Sequence, residues 1–418
     1  MDHSEKVDQD AVLRARTMLL GSGRLEIGRQ VEAYRVLSAV SPLTYLPKLT
    51  EALLSYGYAH EIRNLPEAQL ARHSEAVATA RAVDEGDPKK TELLVRALDA
   101  RRHQLYFLGR RTEGFAVCEE MAEAGRSGFA LGQVESALYG HGRLVVALAE
   151  EGRYQEAAEW CGKMVRSARK QQGAALSFWD LVEWTAALDA AGRHETAAEV
   201  FAELVDDTRA RCAEDRTAMA ILTWALVHQA GMLDALGRSA EALAVRQEAL
   251  GVLAELDLTG ERKSWSNIHA WWSTLFALSG RAAEPVPSPG EPGPSFGSAF
   301  HQWSPDIKRA YFDGMSSLEK QVDALREAER TDPGVRLPEL VAVHRRFAIR
   351  SAVYREKRSH RILKPLRPVF DEQVALGRRL AERDVLARAL TDRSMFLLAA
   401  HQYGEAYDDF VEVCAQLS

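Results

Sequence analysis

Apolar residues recur at helical spacing along most of this chain, and short polar turns with a shared pattern, Gly-Arg-x-x-Glu-Ala, separate the segments. The pattern reads GRQVEA at Gly28 to Ala33, GRYQEA at Gly152 to Ala157, GRHETA at Gly192 to Ala197 and GRSAEA at Gly237 to Ala242. Weaker copies stand at Arg63 to Ala68, Gly109 to Gly114 and Gly280 to Pro285. The anchors at 28, 63, 109, 152, 192, 237 and 280 lie 35 to 46 residues apart, about 42 on average. Two long antiparallel helices fill a unit of that size, so the pattern predicts an all-α stacked array. In each unit the Gly is expected to end the first helix in a left-handed turn. The Glu opens the second helix, and the small residue five positions after the anchor lets the paired helices approach closely.

Segments such as LAEEGRYQEAAEWC, LDAAGRHETAAEVF and LDALGRSAEALAV place small, Gly, aromatic and Ala positions in the order of a known motif. In this the chain resembles the tetratricopeptide repeat family over roughly residues 10 to 281. The resemblance implies a right-handed α-solenoid whose concave groove holds a peptide or protein segment. The units exceed the family's usual 34 residues and lack a regular Pro at their ends. Both departures point towards the elongated arrays of bacterial regulator sensor regions and of the peptide receptors of Gram-positive bacteria.

The pattern breaks once. Residues 282–300, AAEPVPSPGEPGPSFGSAF, hold Pro285, Pro287, Pro289, Pro292 and Pro294, and helix cannot persist through such a run. This divides the chain into an array over 1–281, a Pro/Gly-rich linker or loop over 282–300, and a C-terminal helical lobe over 301–418. In the lobe, HQYGEAYDDF at His401 to Phe410 restores the turn pattern with Ala406 at the small position, so the lobe is expected to continue the array.

Composition fits such a fold. With 418 residues, 46% of them hydrophobic, the chain can bury a long core, and 27% charged residues suit the large surface of a repeat array. The start MDHSEKVDQD lacks a basic segment followed by an apolar run, and stretches such as Leu144 to Ala149 are too short to span a bilayer. No membrane partner and a cytoplasmic location are therefore expected. Cys118, Cys161, Cys212 and Cys414 show no CxxC spacing, which suggests neither a metal site nor disulfides. Cys118 and Cys161 both stand nine residues after their anchor Gly, where Leu37 and Phe201 stand in other units, and read as core residues.

The formal charge of -7 is unevenly divided. Residues 341–367 carry nine Lys or Arg against the single acid Glu356, a local +8 that leaves -15 on the remainder. A basic helix over 338–363 would bury Leu340, Val343, Phe347 and Val353 and crowd Arg345, Arg346, Arg350, Arg355, Lys357, Arg358 and Arg361 on its other sides. Such a helix either docks by charge against the chain's own acids or binds phosphate, nucleic acid or an acidic protein surface.

All eight tryptophans fall between Trp160 and Trp303. Thirteen residues before the anchor in three successive units stand Tyr139, Trp179 and Trp224, and the family resemblance implies that this offset faces the groove. Arg143, Glu183 and His228, nine before the anchor, would lie at the same lip. Trp184 and Trp272, eight before it, fall where the family packs its core.

Motifs for catalysis are missing. His60-Glu61 and His194-Glu195 lack the second His of a zinc-protease helix, and Gly21, Gly23 and Gly28 are not followed by the third glycine of a dinucleotide loop. No cofactor is implied. The sequence points to a non-enzymatic binding and regulatory module for a peptide or protein segment. A nucleic-acid- or phosphate-binding regulator working through 341–367 is the alternative, followed by an enzyme with the groove as its pocket. Self-association is left open.

Overall fold

The structure, a computed structural model, describes residues 8–21, 25–172, 178–263, 268–285, 290–354 and 363–417. Among the described residues it is all-α, with no strand, and consecutive helices pack against each other as in a solenoid. It divides into two compact units, one reaching to Ala147 and including Ser304–Asp306, the other formed by Leu148–Trp303 and Ile307–Ser418.

The first unit contains α1 (Gln9–Leu20), α2 (Ile27–Val40), α3 (Pro42–Gly57), α4 (Pro66–Ala82), α5 (Lys90–Phe107) and α6 (Arg111–Ala130), each packed on the next. Its core is built from Val31, Leu53, Val77, Leu93, Leu98 and Leu105, with Ala76, Ala80 and Ala97 buried among them. Arg111 donates to Ser304 Oγ at 3.2 Å and Asp306 Oδ2 at 3.0 Å, which ties that short stretch into the unit.

Helix α7 (His141–Glu150) crosses the boundary between the units. The second unit continues with α8 (Tyr154–Gln172), α9 (Phe178–Ala190), α10 (His194–Ala213), α11 (Met219–Ala235), α12 (Ser239–Thr259) and α13 (Ile268–Gly280). Then come α14 (Pro305–Asp313), whose first two residues belong to the first unit, α15 (Met315–Thr331), α16 (Leu337–Tyr354), α17 (Leu363–Leu380), α18 (Arg383–Ala399) and α19 (Tyr403–Leu417). The last hairpin does not stack at the far end of the chain's order. Helix α19 packs on α12 and α18 touches α11, after which α17, α16 and α15 follow in reverse sequence.

The repeated motif builds one turn. Gly109, Gly152, Gly192 and Gly237 all have φ between +72° and +75°, the left-handed region that a Cβ disfavours. The next residue's N–H reaches back to the helix it ends, as in Arg193 N to Leu188 O at 2.9 Å and Arg238 N to Leu233 O at 2.9 Å. The motif Arg then grips the motif Glu through paired 2.7 Å bonds, Arg110 to Glu113, Arg153 to Glu156 and Arg238 to Glu241. Ala157, Ala197 and Ala242 are fully buried, as the close approach of paired helices requires. In the copy at His401, the histidine itself takes the left-handed conformation at φ +60°.

Three copies depart from this turn. Gly28 lies inside the first turn of α2, after the cap at Glu26, and the Arg63 copy passes through a 3-10 turn before Pro66 opens α4. Gly280 has φ -79° and leads directly into a 3-10 turn over Arg281–Ala283. The expectation that Gly ends the first helix in a left-handed turn is therefore corrected at Gly28 and Gly280.

The second helices of successive repeats are tied by a ladder of ion pairs at repeat spacing. Arg35 to Glu75 at 2.7 Å stands in the first unit, where Arg81 also pairs with Glu120. Arg209 to Glu248, Arg326 to Glu372 and Arg378 to Glu412 follow in the second at 2.6 to 2.7 Å, with Arg169 on Glu203. Each pair is partly exposed and contributes at most about 1 kcal/mol, so the ladder sets register more than stability. The rung Arg378 to Glu412 joins α17 to α19, which thus take second-helix places.

No described helix is long and apolar enough to cross a membrane, and all four cysteines are buried outside any disulfide.

Candidate functional site

Helices α9 and α11 are the first helices of neighbouring repeats, and α13 lies against them with two consecutive tryptophans. Trp271 stacks on Trp179 with centroids 4.2 Å apart and planes 16° apart. Trp272 meets Trp224 edge-on at 6.5 Å, and Phe276, one turn on, meets the same indole at 5.8 Å. The aromatic run continues from Phe276 to Phe370 at 5.9 Å and from Phe370 to Phe396, stacked at 4.4 Å.

This arrangement corrects part of the expected stripe. Trp224 is 4% exposed and belongs to the core, because α13 covers it. Trp179 stays half-buried under Trp271. Tyr139 lies in the turn before α7 rather than on a helix, and packs against the core of the first unit. Arg143 pairs with Asp99 at 3.2 Å. His228 is half-buried with its ring 4.8 Å from Phe201, and burial pushes its pKa down to about 4 against a small opposing pull from Asp189. Glu183 is half-buried on α9. Trp272 is fully buried, in the core place expected of it, while Trp184 is half-buried with its indole closely packed against Gly162.

The most informative neighbour of α9 is a segment without regular structure. Residues 290–303, from the Pro/Gly-rich stretch, run with Gly293, Ser295, Gly297, Ser298 and Ala299 buried. Gly293 N–H donates to the carbonyl of Glu150, the last residue of α7, at 2.8 Å. Gly297, at φ +98°, sits so close to α9 that a Cβ would come within 2.3 Å of Ala186 Cβ and 3.3 Å of the Val182 carbonyl. Its other hydrogen bonds are largely its own: Ser295 Oγ to Ser298 Oγ at 3.0 Å, and Trp303 Nε1 to the Ser298 carbonyl at 3.0 Å. Phe296, Phe300 and Tyr311 surround Trp303 at centroid distances of 4.7 to 5.8 Å.

One guanidinium holds both ends of this strap. Arg350 of α16 donates to Glu284 Oε1 at 2.8 Å and engages the other oxygen too, just before the strap begins. It also donates to the carbonyl of Tyr311 at 3.1 Å, beyond the strap, and lies 4.3 Å from the centre of that ring. Burial and the Glu284 charge hold the Tyr311 hydroxyl well above its usual pKa, so it stays protonated.

The basic helix is likewise corrected in two places. Arg345 is 7% exposed and grips Asp392 at 2.6 and 3.2 Å, and Arg350 is committed to Glu284. A buried guanidinium needs a carboxylate to offset its desolvation, so neither is free for an external anion. Arg346 is half-buried on the same helix, while Arg355, Lys357, Arg358 and Arg361 lie outside the described residues. Among the described residues no group of three or more His, Cys, Asp or Glu is gathered as a metal site would require.

Sequence reasoning did not find the strap as a surface-lining element. Its prolines showed only that helix stops there, and the closeness of Gly297 to Ala186 joins positions 111 residues apart. No model of a known protein family matches the chain, and no curated protein matches its sequence significantly.

Proposed function

We propose that this chain is a non-enzymatic binding and regulatory module that engages a peptide or protein segment along the first helices of its repeats, in the manner of the tetratricopeptide arrays it resembles. The supporting observation is the strap itself. An irregular, Gly- and Ser-rich segment lies on α9 with its backbone closer than any side-chain-bearing residue could come at Gly297. A surface that offers only the Ala186 methyl and the Val182 carbonyl at this point is one on which a peptide backbone can lie closely. Buried cysteines that form no disulfide suit work in the reducing cytoplasm.

The test is peptide selection. A full-length variant in which Glu291–Ala299 is replaced by an alternating Glu-Lys sequence of equal length is offered a random peptide library. Enrichment of a related set of peptides, lost when Ala186→Trp fills the seat on α9, is the expected result. Failure of a folded variant to enrich any peptide, or enrichment indifferent to Ala186→Trp, rejects the reading.

A further inference from the structure

We infer that the strap is a resident pseudo-ligand: residues 292–299 occupy the peptide seat on α9, and the external partner is an uncharged segment of the same chemistry that turns at its Gly. This rests on the binding reading above and specifies both its partner class and its regulation.

The chemistry of the partner is read from the occupant. The backbone at Gly297 has no room for a side chain over Ala186, so the partner needs Gly at that place. Buried Ser295, Ser298 and Ala299 show that the flanking positions take small residues. Phe296 turns instead towards Trp303 and Tyr311, at 5.8 and 6.3 Å, so an aromatic residue immediately before the Gly is accommodated beside the seat. Residues 292–299 carry no charged side chain. The partner is thus a Gly/Ser-rich segment containing an aromatic-Gly step.

The hold is shaped for exchange. The bond from Gly293 N–H to the Glu150 carbonyl and that from Lys308 Nζ to the Phe300 carbonyl tie the strap to neighbouring helices, while Phe296 N to Pro294 O, Ser298 N to Ser295 O and the Ser295–Ser298 pair lie within it. Such a segment keeps those bonds when it lifts. What keeps it seated is tethering, because Arg350 pins Glu284 on one side and Tyr311 on the other. A segment closed at both ends acts at an effective concentration on the order of millimolar, so it outcompetes a free peptide of micromolar affinity. Loosening the Arg350 clamp widens the loop and lowers that concentration.

A fluorescent synthetic peptide with the sequence of residues 290–300 is titrated by polarisation into three full-length proteins: the parent, a replacement of 291–299 by alternating Glu and Lys, whose side chains cannot enter the seat, and Arg350→Gln. The replacement is expected to bind the peptide at least about tenfold more tightly than the parent, with Arg350→Gln between them, given the tethered competitor's advantage. A replacement that keeps its helicity and melting transition but does not bind the strap peptide overturns the inference. If that same protein enriches other peptides from a random library, the wider binding reading survives and only the pseudo-ligand is lost. Should the replacement unfold, Gly297→Val in the otherwise intact chain decides, since its side chain unseats the strap locally. Peptide uptake by folded Gly297→Val supports the inference; a folded protein without uptake, or an unfolded one, shows the strap to be core and overturns it.

Discussion

Trp271 stacks face to face on Trp179 at 4.2 Å, and its neighbour in sequence, Trp272, is fully buried against Trp224. Two adjacent residues of α13 thus cover equivalent positions of two repeats, but to different depths. Trp224→Ala should cost about 3 to 5 kcal/mol, as large-to-small changes in a packed core do. Trp179→Ala loses a half-exposed stack and should cost about 1 kcal/mol. Denaturant unfolding of the two variants checks the order; equal losses would mean that α13 covers both indoles alike. Trp224 Nε1 is buried without a hydrogen-bond partner, so Trp224→Phe should be much milder than the alanine variant.

The small motif position is tested by size. Ala157 and Ala197 are fully buried, and Leu at either should destabilise by about 1 to 3 kcal/mol through overpacking. Ala244, exposed on α12, is the control, and Leu there should change the melting midpoint little. A tolerated Ala197→Leu would show that the paired helices are spaced more widely than described.

Gly192, at φ +75°, has no heavy atom within 4 Å of where a Cβ would stand. Gly192→Ala therefore isolates backbone strain from crowding, and should cost about 1 to 2 kcal/mol. His401, which already carries a Cβ at φ +60°, should gain little from His401→Gly, because the relief of strain is offset by the greater freedom of Gly in the unfolded chain. Thermal melts of both variants measure the contrast.

These turns were legible in the sequence because they are local: a left-handed residue, a capping Glu and a small contact residue lie within six positions. Gly28 shows the limit, since the same motif there begins within the first turn of a helix instead of ending one. The aromatic stripe was legible as an offset on α9 and α11 but not as a buried surface, because what covers it, α13, comes from the next repeat. Arg345 and Arg350 read as a basic patch for the same reason. Their partners, Asp392 and Glu284, stand 47 and 66 residues away, and no local pattern links them. The reversed stacking of α19 on α12 had no signature in spacing at all.

Acid should weaken both units through buried histidines. Burial lowers His73, on α4, and His228, on α11, from 6.5 to about 4. Between those values the unfolded chain binds the proton and the folded chain does not, so stability is full above about pH 6.5 and falls as pH drops towards 4. His73, 1% exposed, should account for on the order of 3 kcal/mol of that loss, and the more exposed His228 for less. Below this window Glu372, held at about 2 by His344 and Arg326, adds a further loss as pH falls from its usual range through 2. Unfolding free energies measured from pH 7.5 to 4, with NMR titration of the His73 ring, check this; a His73 ring that titrates near 6.5 would remove the effect.

The ion pair of Arg345 and Asp392 separates a structural basic helix from an anion-binding one. Both side chains are less than a tenth exposed, and Arg345 also donates to the Ser279 carbonyl at 3.3 Å, joining α16, α18 and the end of α13. Removing one charge leaves the other buried and uncompensated, so Asp392→Asn should cost about 3 to 5 kcal/mol. Replacing both partners with apolar residues of similar volume, Arg345→Met with Asp392→Leu, should restore most of that loss, because no buried charge then remains. Chemical denaturation of the single and double variants measures the recovery. If Asp392→Asn were instead neutral in stability while raising affinity for inorganic phosphate, the Arg345 guanidinium would be available to an external anion, and the pairing would be a resting state of a binding site rather than a fixed part of the core.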